Sequence, residues 1–380
     1  MIPVLLVPEH YTNTTLTGVY LVRYNMLNPI RSVLLALACL LGVTAFNGKA
    51  AEDGNTNALR KQQFDRLQTF FVAKEKQAKA FAAKENQELL PDVQAFFSAG
   101  SAGKWQTVSN LYGKLLLKRN GDGKTMHDET LAKAPYWQLV VETGGACGQV
   151  VERAPRFVRM WEHDIIESIP PGSIYFGGTD AGRFLITTFC KSQVDGDPFF
   201  TVTQNALADG SYLNYLRFMY GQKIKMLSQE DSAKAFQDYL SDAHQRLQKN
   251  QLKQGENVRL ENGRIQASGQ IAVMEINGLM AKMIVDKNTN REIFVEESFP
   301  LDWMYPYLEP HGLIMKLNRQ PLSEISEEVI QQDRAYWHPR VREMIGDWLT
   351  QRTTVQEIGT CSCWLKKSAC PTRFSLCPPV

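Results

Sequence analysis

The sequence predicts a mixed α/β protein: a Rossmann-like parallel sheet with flanking helices, preceded by a helical hairpin region. Three observations carry this expectation. Residues 173–176 are a short β-rich run, closed by Gly177-Gly178 and followed by helical sequence. Residues 199–203 repeat that order, with Gln204-Asn205 and a second helical stretch behind them. Ahead of residue 145 the dominant apolar spacing is that of a helix. Strands alternating with helices of this length favour parallel pairing through crossovers.

The chain divides into an export segment (1–51), a helical region (52–145), an α/β domain (146–358) and a cysteine-rich tail (359–380). Arg31 precedes an apolar run over 33–46, and Gly48 and Ala50 supply small residues before a cleavage point. That run is short for a hydrocarbon core of roughly 30 Å. The expectation is a secretory signal starting at Met26 and cut near Ala50, with residues 1–25 upstream of the true start; a retained membrane anchor is the alternative. Cys39 lies inside the run, which argues against lipidation. The tail, with Cys361, Cys363, Cys370 and Cys377, matches no zinc spacing and is expected to reflect a shifted reading frame or a truncated gene.

Hydrophobic residues make up 44% and charged residues 22%, the composition of an ordinary globular protein. A formal charge of +2 gives no electrostatic reason to bind nucleic acid or an anionic membrane. The expected partners are therefore a glycan, a peptide or an envelope protein, with the membrane met only transiently through the signal. Cys147 and Cys190 are expected as separate buried thiols, although export permits a disulfide.

Apolar residues Leu59, Phe64, Leu67, Phe70 and Phe71 predict an amphipathic helix over 57–90, ended by Pro91. Residues 93–97 and 104–117 flank a small-residue turn and are similar to one tetratricopeptide-like hairpin, without a second copy. A helix starting within 135–141 is expected to stop at Gly144-Gly145. Asp180 is placed to cap a helix over 181–191. After the second strand come a helix over 207–220 and another capped by Ser228 and running to 250. A hairpin around Asn262-Gly263 and an apolar helix over 271–285 follow. Core strands are expected at 291–295 and 313–317, then a helix pair over 324–349 broken near Pro339.

Ligands of open parallel sheets bind beyond the carboxyl ends of the strands. Those ends carry Gly177, Gly178, Thr179 and Asp180, then Gln204 and Asn205, then Glu296 and Glu297, with Arg183 in the adjoining first helical turn. This polar set is the candidate ligand-binding site; its structural alternative is caps and solvated turns. The glycines do not match G-x-G-x-x-G, and no phosphate-loop motif is present. A carboxylate at the helix N-cap also competes for the amides that a phosphate needs. A hydroxyl-bearing ligand or a divalent cation suits Asp180 better. The six histidines show no metal-ligand spacing, so neither a metal site nor a cofactor is expected. Asp195-Gly196-Asp197 precedes its strand and reads as a turn. His311 also reads as a turn residue. The aromatic run 299–308 is expected to plug the sheet edge, with a sugar-binding surface as its functional alternative.

Ile169, Pro170, Ser173, Ile174, Phe176, Asp180 and Phe184, with Asp197 and Val202 after them, form a recognisable pattern. It resembles the soluble domain that follows the transmembrane helices of bacterial protein O-mannosyltransferase-like membrane proteins. Residues 297–306 and 311–316 are similar to a subgroup of exported, Verrucomicrobia-like bacterial proteins. The resemblance spans about residues 150–355. It implies an extracytoplasmic accessory module, because the multi-span region that holds the sugar donor and catalytic carboxylate has no counterpart here. Two functions follow as expectations. One is a non-catalytic, exported binding module. The other is a divergent carbohydrate-active or metal-dependent enzyme using Asp180, Glu296 and Glu297.

Overall fold

A computed structural model describes residues 54–121, 127–190, 198–261 and 263–345. The export segment, Asp195-Gly196-Asp197 and the cysteine-rich tail lie outside the described residues.

Helix α1 (Gly54–Lys84) buries Leu67, Phe70, Phe71, Lys74, Ala78 and Phe81, spaced three and four apart along one face. Helices α2 (Pro91–Ser101) and α3 (Trp105–Asn120) form the expected hairpin against that face, joined through Gly103 at φ +68°. A short α4 (Glu129–Ala132) is capped by the Asp128 carboxylate. Helix α5 (Trp137–Glu152) is buried along most of its length. Gly144-Gly145 does not end it, against the sequence expectation. The two glycines let the rings of Tyr112 and Phe184 press on the helix backbone, where a Cβ would stand 2.5 Å from either ring. The stop signal is overridden by packing.

A polar triad crosses this core. Lys74 Nζ lies 2.9 Å from Glu142 Oε2, and Tyr215 Oη donates to the same oxygen at 2.6 Å. All three side chains are buried. Lys74 therefore occupies a core position of α1 only because a carboxylate on α5 receives it.

Helix α6 (Pro155–Met160) runs into a π-helical turn (Trp161–Ile166) and then β1 (Ile174–Gly177). A π-helical turn (Ala181–Leu185) and α7 (Ile186–Phe189) lead toward β2 (Phe200–Thr203) and α8 (Gly210–Tyr220). Helix α9 (Gln229–Gln248) starts at a full capping box: Ser228 Oγ accepts from Asp231 N, and Asp231 Oδ2 accepts from Ser228 N. Hairpin β3 (Asn257–Glu261) and β4 (Arg264–Ser268) pairs as expected, with Gly263 at φ +72°; Asn262 lies outside the described residues. Glu256 ties the end of α9 to this hairpin by accepting from Arg246, Tyr239 and the Lys253 amide. Helix α10 (Gln270–Lys287) then leads to β5 (Ile293–Glu296).

The main sheet runs β2-β1-β5-β7-β6, where β6 is Leu308–His311 and β7 is Ile314–Leu317. Only β2, β1 and β5 are parallel; β7 and β6 are antiparallel, so the sheet is mixed rather than parallel throughout. The reason is connection length. The segment after β5 holds only a 3₁₀ turn (Asp302–Tyr307) before β6, and residues 312–313 close a tight hairpin with Gly312 at φ +64°. Neither link has room for a crossover helix. His311 and Pro310 thus belong to a strand, not a turn; Pro310 is tolerated because β6 is an edge. Helix α11 (Glu327–Ile345) passes through Pro339 instead of breaking into a pair. Asp164 grips it on both sides of that proline, accepting from Tyr336 Oη and Arg340 Nε at 2.8 Å each.

Alternation on β1 sorts the core. Ile174 and Phe176 join a large apolar cluster shared with the helical region, extending from Leu67 to Leu317. Tyr175 faces the other side, with Ile165, Ile186, Phe199, Phe294 and Ile314. Cys147 is a free, buried thiol, and Cys190 is buried as well.

Candidate functional site

The carboxyl ends of β1, β2 and β5 do meet, and the strand order places a topological switch between β1 and β5. The crevice at that switch is filled from within. Glu296, at the end of β5, is 2% exposed and turns its carboxylate onto the β1 turn. Oε2 accepts from Gly178 N at 2.7 Å and Thr179 N at 2.9 Å, and Oε1 accepts from Thr179 Oγ1 and Ser298 Oγ. The amides that would cradle a phosphate are therefore committed to a side chain of the same chain.

This corrects the reading of Asp180. Its backbone is already helical and its side chain makes no capping bond. Thr179 Oγ1 takes the Gly182 amide instead, at 3.0 Å. The carboxylate that blocks the anion cradle is Glu296, not Asp180.

The glycines of the turn have packing roles. A Cβ on Gly178 would run into the Phe299 ring, and one on Gly182 into the Glu296 carboxylate. Gly177 faces the Gly182 carbonyl, 2.6 Å from where its Cβ would stand. Their density, which invites a nucleotide reading, comes from close approach of β5 and the segment after it.

Gln204 and Asn205 join the same edge. Gln204 is buried and donates to the Phe299 carbonyl, and Asn205 Nδ2 donates to the Gly178 carbonyl at 3.0 Å. Their side-chain oxygens, Gln204 Oε1 and Asn205 Oδ1, have no hydrogen-bond partner among the described residues. Asn277 holds this turn from α10, giving to Asn205 O at 2.9 Å and accepting from Ala208 N at 2.7 Å. Sequence reasoning missed Asn277; a lone asparagine in an otherwise apolar helix is the signal that could have found it. Glu297 is exposed beyond the strand end and is separated in role from buried Glu296.

Arg183 is the surprise of the set. It points away from the crevice, toward α5 and α8, and is 6% exposed. Its guanidinium lies over Phe184 and Tyr212, at 4.8 and 5.5 Å from the ring centres. Nη2 reaches Gln138 Oε1 only at 3.5 Å, and Nε has no partner among the described residues. Half-buried Asp180 has its carboxyl pKa raised by burial, against the pull of Arg183 and then Arg153. Among the described residues no ion pair joins Asp180 to either arginine.

Gln138, Tyr112 and Arg119 complete the surroundings and were not read from the sequence. Gln138 Nε2 donates to Ser211 Oγ at 3.1 Å and Asp209 Oδ2 at 3.3 Å. Burial pushes the Tyr112 hydroxyl up to about 12, opposed by the fields of Arg183 and Arg119. Among the described residues no group of three His, Cys, Asp or Glu side chains could hold a metal ion. The aromatic run packs largely inward, with Trp303 and Tyr307 against the core and Tyr305 exposed. Two open surface grooves lie elsewhere: one of about 470 Å³ beside Lys133 and Tyr136, one of about 400 Å³ beside Phe64 and Trp105. Long exposed side chains form much of their walls, and neither reaches the strand ends. No family model matches this chain, and neither a curated protein nor a solved structure matches it.

Proposed function

We propose that this chain is an exported, non-catalytic binding module of the cell envelope, with its ligand site beside the β1 turn around Asp180 and Arg183. One observation carries the reading. Asp180 and Arg183 sit three residues apart in each other's field, yet they form no ion pair. Both keep hydrogen-bonding capacity for a group from outside the chain. The occupied crevice supports binding over catalysis, because Glu296 is committed to four donors and is poorly placed for acid–base work. The three parallel strands support a Rossmann-like ancestry; the β6–β7 hairpin is then an addition at one edge. The resemblance over residues 150–355 supports an accessory role next to glycan-handling membrane proteins. Export rests on residues 26–51.

The test is a thermal-shift screen of the full chain against glycans, short peptides and divalent cations, with Asp180→Ala in parallel. The expected result is a ligand-dependent rise in Tm that Asp180→Ala loses without melting lower by itself. That second outcome follows from the missing cap bond. A screen with no shift from any ligand class overturns the reading. Amino-terminal sequencing of the mature protein tests export, with cleavage near Ala50 expected.

A further inference from the structure

We propose that the seam between α3, α5 and the β1 turn binds an oxyanion, a phosphate or carboxylate group, held by Arg183 with Arg119 beside it. This deepens the binding reading above and rests on it. A guanidinium cannot lose its charge at ordinary pH, so burying one without a counter-charge is costly. Arg183 is buried without an ion pair: its contacts are two aromatic faces and one long hydrogen bond to a neutral amide, and Asp180 acts on it only through its field. Arg119, half-buried on α3, repeats the arrangement 4.8 Å from the Trp137 ring centre. Among the described residues neither arginine forms an ion pair.

Four unpartnered atoms, on α3, on α5 and on the helical turn after β1, share one chemistry. Arg119 Nε, Asn120 Nδ2, Trp137 Nε1 and Arg183 Nε are all buried donors without an acceptor among the described residues. A ligand that only accepts hydrogen bonds and carries negative charge is the partner that this donor chemistry calls for. The carboxylates near the seam do not supply it. Asp209, whose field reaches Arg119 without an ion pair, is engaged by Ser211 N and Gln138, and Asp180 stays outside ion-pair distance. Tyr112, whose hydroxyl feels both guanidinium groups, lies between the two arginines electrostatically.

The experiment is isothermal titration of the full chain with inorganic phosphate, glucuronate and neutral glucose, at matched ionic strength in chloride. Wild type, Arg183→Met and Arg119→Gln are compared. Phosphate or glucuronate is expected to bind, and which of the two binds distinguishes phosphate from carboxylate recognition. Arg183→Met should lower that affinity by at least about tenfold. It should melt no lower than wild type in chloride, since it removes an unpaired buried charge. A purely structural Arg183 would show the reverse: a lower Tm and unchanged affinity. If Arg183→Met fails to fold, Arg119→Gln decides, because unchanged oxyanion affinity in that variant overturns the two-arginine site. Wild type that binds neither oxyanion overturns the proposal too. Should a glycan or peptide still bind in the thermal-shift screen, the module reading survives that failure; should nothing bind, both fall.

Discussion

The Glu296 carboxylate rests directly on the Cα of Gly182, in the place a side chain at residue 182 would occupy. The same carboxylate holds the Gly178 and Thr179 amides, so this contact fixes how β5 meets the β1 turn. Gly182→Ala adds one methyl group to a buried, fully bonded spot. Helix propensity alone would favour alanine by up to about 1 kcal/mol. Overpacking should win, with a net loss of roughly 1–3 kcal/mol in urea unfolding. An alanine variant as stable as wild type would show that Glu296 can move aside without cost.

The Lys74–Glu142 pair predicts strong non-additivity. Lys74→Met strands a buried carboxylate and should cost roughly 3–5 kcal/mol, as should Glu142→Leu in stranding the ammonium. The double variant should be clearly more stable than the sum of the two losses predicts. A double-mutant cycle by denaturant unfolding measures this, and additive losses would contradict a direct pair.

Glu256 predicts an acid-dependent loss of stability. Its hydrogen bonds from Arg246, aided by the Lys253 amide and Tyr239, bring its pKa down to about 2 from an ordinary 4.5. A folded-state pKa below the unfolded value means the unfolded chain binds the proton first as pH falls. The contribution is therefore complete above about pH 4.5 and is lost as pH drops toward about 2. The stability gap between wild type and Glu256→Gln should close over that window. A gap independent of pH from 6 to 2 would sink the assignment.

Cys147 should be inert in the folded protein. Burial raises its thiol to about 12, far from the range where a thiolate forms at neutral pH. Alkylation with iodoacetamide at pH 8 should label Cys147 only after denaturant is added. Labelling of the native protein at a free-thiol rate would contradict the buried position.

Much of the local architecture is legible in the sequence because its causes are local. The Ser228 cap and Asp231 lie three residues apart, and the β3–β4 turn is written in Asn262-Gly263. β1 and β2 are short apolar runs bounded by turn residues. What escapes depends on distant partners. Glu296 and Gly178 are 118 residues apart, so nothing near Asp180 reveals that its expected capping role is filled from β5 and by Thr179. Gly144-Gly145 looks like a helix end until Tyr112 and Phe184 are seen pressing on it. The antiparallel edge is hidden because Glu309-Pro310 carries little strand propensity, and edge position is a property of the whole sheet. Among the candidate site residues, the three strand ends are correctly gathered at one edge. Arg183's direction is not legible, since it is set by Gln138 and Tyr212 from other helices.

Helix α5 runs unbroken across residue 145, and its Glu142 is claimed by α1 on one side and α8 on the other. Quality control inside a cell would therefore see one object, not two. A chain truncated at that point would expose its half of a shared core and be open to proteolysis along its length. Heating the intact chain should give a single calorimetric transition, with neither half surviving as a foldable remnant.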